Sequence, residues 1–124
     1  MNLTEIFSIL IIHWIADFIL QTDKQAKNKS SSWKYLTSHT FWYTFTWFII
    51  GIFYIIINQI NPWFLFLFCI ITFVLHTITD YFTSRLNKKL WENNKVHDFF
   101  VSVGFDQILH YIQLFLIYYY ITKL

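Results

Sequence analysis

The chain is 124 residues long, 56% apolar and only 13% charged, with a formal net charge of +2. An ordinary soluble domain is about 25% charged, and so short a one could not bury this much apolar surface. The weak charge gives no support for a nucleic-acid partner, and one cysteine, Cys69, excludes an internal disulfide.

Taken in chain order, four hydrophobic runs appear, at about 3–22, 37–57, 63–83 and 99–121. Each is near the ~20 residues that cross about 30 Å of hydrocarbon. The first has no basic segment before it, carries Glu5, and is followed by no small-residue cleavage site, so it is expected to be a retained helix rather than a signal peptide. Residues 23–36 form a loop with Lys24, Lys27, Lys29 and Lys34. The second run has no charge from Phe41 to Ile57, and it lacks the polar face that a water-soluble bundle helix needs. A short turn follows, with Pro62 placed to start the third helix. Residues 84–98 form the second basic loop, with Arg85, Lys88, Lys89 and Lys95; His97 and Asp98 are expected to cap the fourth helix. Cys69 reads as packing.

These elements predict an all-α fold, a single transmembrane domain over 1–124. It is an integral membrane four-helix bundle of two helical hairpins, with a hint of a pseudo-repeat. Eight of the nine Lys and Arg residues lie in the two long loops. The positive-inside rule therefore puts those loops in the cytoplasm and both termini outside, in a multi-pass protein of the inner (plasma) membrane. Membrane lipid is the expected partner. Four helices shield little volume, which leaves room for a homodimer.

The spans carry seven ionisable residues: His13, Asp17, His39, His76, Asp80, Asp106 and His110. Three pairs, His13/Asp17, His76/Asp80 and Asp106/His110, have i,i+4 spacing and so share a helix face. Counted from the basic loops, all seven fall in a band roughly 5 to 16 Å deep. An aspartate at mid-membrane costs about 2.5–3.5 kcal/mol, so three would cost on the order of 8–10 kcal/mol without compensation. A shared divalent cation would supply it, with His13, Asp17, His76, Asp80, Asp106 and His110 as ligands and His39 as ligand or general base. The lack of a thiolate disfavours copper(I) and points to zinc first, then manganese, iron or nickel. A proton-linked polar network is the alternative use of the same groups. Arg85 is the candidate clamp for an anion, and Gln107 is placed to orient a water or substrate.

Several stretches together resemble a known family: His13-Trp-Ile-Ala-Asp17 through Gln21 and Asp23, His39, His76-x-x-x-Asp80-Tyr81-x-x-Ser84-Arg85, Lys89-Leu90-Trp91, and Gly104-Phe105-Asp106-Gln107-x-x-His110. The family is domain of unknown function 3307, small membrane proteins of bacteria and their phages. The resemblance implies a membrane location and this polar constellation. More loosely, the His-x-x-x-Asp helices are similar to those of membrane-bound metal-dependent hydrolases, which implies metal-assisted hydrolysis of a lipid-like or phosphate-ester substrate from the cytoplasmic side. Two other roles compete: a cation- or proton-binding transport protein, and a non-enzymatic, phage-encoded membrane effector.

Overall fold

The structure is a computed structural model and describes residues 1–123. It is helical throughout, with helices α1 (Leu3–Trp14), α2 (Asp23–Asn28), α3 (Trp33–Ile57), α4 (Pro62–Glu92) and α5 (Val96–Ile121), and a π-helical turn, Ile15–Ile19, that continues α1. Three of them, α3, α4 and α5, are long and apolar enough to cross a membrane. Helix α4 packs along both α3 and α5, α1 touches α5, and the π turn and α2 lie against α3.

Local chemistry explains most of the helix ends. Asn2 and Glu5 form a reciprocal capping box at the start of α1, with bonds of 2.9 and 2.8 Å. Thr22 and Gln25 repeat the device at α2. Asn61 caps α4, accepting from the Trp63 amide at 2.9 Å, with Pro62 at the first helical position as expected. Asn94, at φ 56°, makes the left-handed turn into α5.

Two expectations about the loops need correction. Helix α4 does not stop near residue 83 but runs to Glu92, so Arg85, Lys88 and Lys89 sit on a helix and only three residues join α4 to α5. Straight-chain residues such as these propagate a helix readily once it has left the apolar segment. Likewise, α5 starts at Val96 with Lys95 at its N-cap and no side-chain cap bond. His97 and Asp98 are therefore first-turn residues rather than caps, and Asp98 acts through the helix dipole.

The interior is polar and the exterior apolar. Twelve buried residues are polar or charged against nine hydrophobic ones among those described. Phe41, Phe48, Phe53, Phe82, Phe100 and Phe105, among many others, are more than 40% exposed. Such a surface suits a hydrocarbon surround, in keeping with three helices apolar enough to cross a membrane. Its apolar core is small, built on Ile9, Ala16, Tyr43, Trp47 and Leu114. At the end of the protein away from the polar interior, Glu5 accepts from the Tyr118 hydroxyl at 2.8 Å, and Tyr118 is bonded to Tyr54.

The α3–α4 contact is close at Gly51, where an added methyl would collide with the side chain of Leu65. Gly51→Ala is expected to cost about 1–3 kcal/mol through overpacking. At Gly104 the same methyl would meet nothing within 4 Å, so Gly104→Ala should gain up to ~1 kcal/mol of helix propensity. Thermal unfolding of the two variants in one detergent checks the contrast; equal shifts would contradict this packing.

Candidate metal centre

Four elements deliver the polar side chains to one place. The π turn presents Asp17, α3 presents His39, α4 presents His76 and Asp80 from successive turns, and α5 presents Asp106 and His110. All six are buried, the three histidines at 1% exposure. The π turn matters locally. Its extra residue per turn is seen in the Leu20 amide bonding the Ile15 carbonyl, five residues back, and π turns recur at functional positions.

One set of atoms has the shape of a metal site. His39 Nε2 lies 3.0 Å from Asp17 Oδ1 and 3.3 Å from Asp80 Oδ2. His76 Nε2 lies 3.5 Å from the same Asp17 oxygen and 3.7 Å from the same Asp80 oxygen. The two imidazole nitrogens are 3.3 Å apart. A tetrahedral ion with bonds of about 2.0–2.1 Å separates its ligand atoms by roughly 3.3–3.4 Å. Five of the six edges are therefore close to that spacing, and the four atoms all lie within 4.8 Å of one another. The donor set, two imidazoles and two carboxylates, suits zinc, manganese, iron or nickel. These groups could hold a metal ion.

A second set adjoins it. Ligand atoms of Asp17, Asp106 and His110 also lie within 4.8 Å of one another. His110 Nε2 is 3.4 Å from Asp106 Oδ1 and 3.3 Å from Asp80 Oδ1. Asp106 Oδ1 is shielded from solvent and has no hydrogen-bond partner among the described residues. Its nearest donor is the His110 imidazole at 3.4 Å, too poorly placed to make a hydrogen bond; a buried carboxylate oxygen so served is costly, and a cation would satisfy it.

The remaining residues divide by role. His13 Nε2 bonds Gln107 Oε1 and Nδ1 bonds the Tyr43 hydroxyl, both at 2.8 Å. The amide oxygen only accepts, so His13 donates from Nε2 and receives the Tyr43 proton at Nδ1. His13, expected from sequence to be a ligand, has both ring nitrogens engaged in these hydrogen bonds. The Gln107 amide nitrogen donates in turn to Asp17 Oδ2 at 3.3 Å and Asp106 Oδ2 at 3.1 Å, which keeps the carboxylates facing inward. The His76 ring is stacked between Tyr43, at 3.8 Å, and His110, at 4.1 Å, which fixes its orientation. Arg85 stands apart from the cluster: its guanidinium lies 3.6 Å over the Tyr81 ring and donates to the Tyr81 carbonyl.

Lys29 is the residue that sequence reasoning missed. Its ammonium donates to Asp80 Oδ2 at 2.8 Å, with 16% of the side chain exposed. Burial opposes the Lys29 charge, but Asp80 and Asp17 outweigh it and raise the ammonium above the ordinary lysine range. The segment carrying it is pinned by the buried Gln25, which donates to Ser38 at 3.0 Å. In the sequence Lys29 is one of four similar loop lysines, and nothing local sets it apart. With imidazoles neutral, as ligands must be, the three carboxylates and Lys29 sum to two negative charges, which one divalent ion would neutralise.

No curated protein and no solved structure gives a significant match. The family described as "Protein of unknown function (DUF3307)" matches residues 6–124, nearly the full length, a stretch that includes every residue of the polar cluster just described. The chain belongs to that family.

Proposed function

We propose that the chain is a metal-dependent hydrolase embedded in the plasma membrane, acting on a lipid-like phosphate ester reached from the cytoplasmic leaflet. In this reading α1 and its π turn form the fourth span of a bundle, since Ile11, Trp14, Phe18 and Ile19 are apolar and exposed. The Lys- and Arg-rich ends face the cytoplasm. The observation that carries the proposal is the near-tetrahedral convergence of Asp17, His39, His76 and Asp80 in an otherwise apolar membrane protein.

A divalent ion bound there would act as a Lewis acid and lower the pKa of a coordinated water to about 7. The protein's own groups supply the rest. Asp17 Oδ1, Asp80 Oδ2 and the Nε2 atoms of His39 and His76 hold the ion. Asp106 Oδ1, 3.4 Å from His110 Nε2, adds a further carboxylate beside that set. Gln107, held by His13, keeps Asp106 and Asp17 in place. Lys29, the partly exposed cation at the edge of the cluster, pairs with the substrate anion as it enters. Arg85 serves as a clamp farther along α4, held ready on Tyr81.

The test uses full-length protein extracted in detergent and passed over chelating resin. Elemental analysis should find at least one equivalent of zinc, manganese, iron or nickel. The protein should also release phosphate from phosphatidate in mixed micelles, and His76→Ala should abolish that release. Bound metal without phosphate release would overturn the hydrolase reading. Failure to retain or rebind any divalent ion would overturn the centre itself.

A further inference from the structure

We infer that the cluster is a dinuclear centre, two divalent ions bridged by the carboxylates of Asp17 and Asp80, and that its substrate is a phosphomonoester. The inference rests on the metal-binding reading above and goes beyond it in the number of ions and the charge of the ligand.

The geometry of the two aspartates carries it. Each directs its two oxygens to different partners. Asp80 turns Oδ2 to His39 and His76, at 3.3 and 3.7 Å, and Oδ1 to His110 at 3.3 Å. Asp17 turns Oδ1 to the same two histidines, at 3.0 and 3.5 Å. Its Oδ2 lies on the other side, 3.3 Å from the Gln107 amide nitrogen that also reaches Asp106 Oδ2. A carboxylate that serves one ion turns its second oxygen to a hydrogen-bond donor. One whose two oxygens face two sets of ligand atoms has the geometry to span two ions, which in such sites lie about 3.5–4 Å apart. His39 and His76 complete the first nest, and Asp106 and His110 complete the second. The second nest contains Asp106 Oδ1, which is shielded from solvent and makes no hydrogen bond, its nearest donor being the His110 Nε2 at 3.4 Å; that is the independent sign that a cation belongs there.

Charge then selects the substrate. Asp17, Asp80 and Asp106 contribute three negative charges and Lys29 one positive, so one divalent ion brings the cluster to neutrality. A second leaves an excess of two positive charges in a low-dielectric interior. A phosphomonoester carries about −1.5 to −2 at pH 7 and cancels that excess, whereas a neutral amide or carboxylic ester does not.

Manganese(II) alone is the probe for the ion count. Apo protein in detergent, titrated with Mn²⁺ and passed through a desalting column, should retain two ions per chain. Its electron paramagnetic resonance spectrum should be that of an exchange-coupled pair. Asp106→Asn, which alters only the second nest and keeps the side chain's shape, should retain one ion and show the six-line spectrum of an isolated Mn²⁺. One ion in the parent protein would overturn the dinuclear assignment and leave the metal centre standing; no ion would overturn both. Two uncoupled ions, or two in Asp106→Asn, would overturn the bridging. Inorganic phosphate should bind the two-ion form at least about tenfold more tightly than the one-ion Asp106→Asn form. Equal affinity would overturn the choice of a phosphomonoester.

Discussion

Asp80→Ala is expected to lower stability by about 3–5 kcal/mol and to weaken divalent-ion binding by more than about 100-fold. Asp80 is the one carboxylate of the cluster that meets both three imidazoles and an ammonium. Asp80 lies within 3.7 Å of His39, His76, His110 and Lys29, at 1% exposure. Removing it takes away one of the four converging groups and leaves the half-buried Lys29 ammonium without its nearest counter-charge. Breaking a buried ion pair from one side costs more than the pair contributes, because the abandoned charge has lost its water and gains nothing in exchange. Asp80→Asn separates the two effects. It keeps the shape and one acceptor oxygen, so it should fold more stably than the alanine variant while still losing most of the metal affinity. Chemical unfolding in detergent and isothermal titration with Zn²⁺ measure the two quantities. Metal affinity in Asp80→Asn equal to that of the parent would remove Asp80 from the ligand set.

The second large effect is at Lys29, and its size depends on metal. Without ions, Lys29→Met should destabilise by about 3 kcal/mol, since the Asp80 carboxylate then has no cation beside it. With saturating divalent ion the deficit should shrink to under ~1 kcal/mol, because the metal supplies the missing charge. Linkage requires the counterpart: whatever the ion restores in stability appears as tighter binding. Lys29→Met should therefore bind Zn²⁺ at least about tenfold more tightly than the parent. A conventional surface pair gives the opposite pattern, a loss within ~1 kcal/mol that is indifferent to metal and fades with salt. That outcome would reduce Lys29–Asp80 to an exposed contact and remove Lys29 from the centre.

Much of this architecture was legible before any coordinates. Transfer free energies act on each run of residues independently, so the apolar stretches around 37–57, 63–83 and 99–121 announced α3, α4 and α5. Helical periodicity is equally local, and it placed His76 with Asp80 and Asp106 with His110 on shared faces. The cost of aspartate in hydrocarbon led to the expectation that the acids converge, and Asp17, Asp80 and Asp106 do lie in one cluster with histidines that could hold a metal ion.

What the tertiary structure decided depends on how the helices are rotated and where the chain folds back, neither of which leaves a local trace. The same i,i+4 spacing occurs in His13/Asp17 and in His76/Asp80. Yet His76 points its Nε2 at both Asp17 and Asp80, while His13 is engaged by Tyr43 and Gln107 on neighbouring helices. The π turn that aims Asp17 cannot be read from Ile15–Ile19, because its hydrogen-bond shift is set by packing against α3. Lys29 is the clearest instance. Among loop lysines of equal composition, only the return of that segment over α4 brings one ammonium to Asp80, and through-space electrostatics has no period in the sequence.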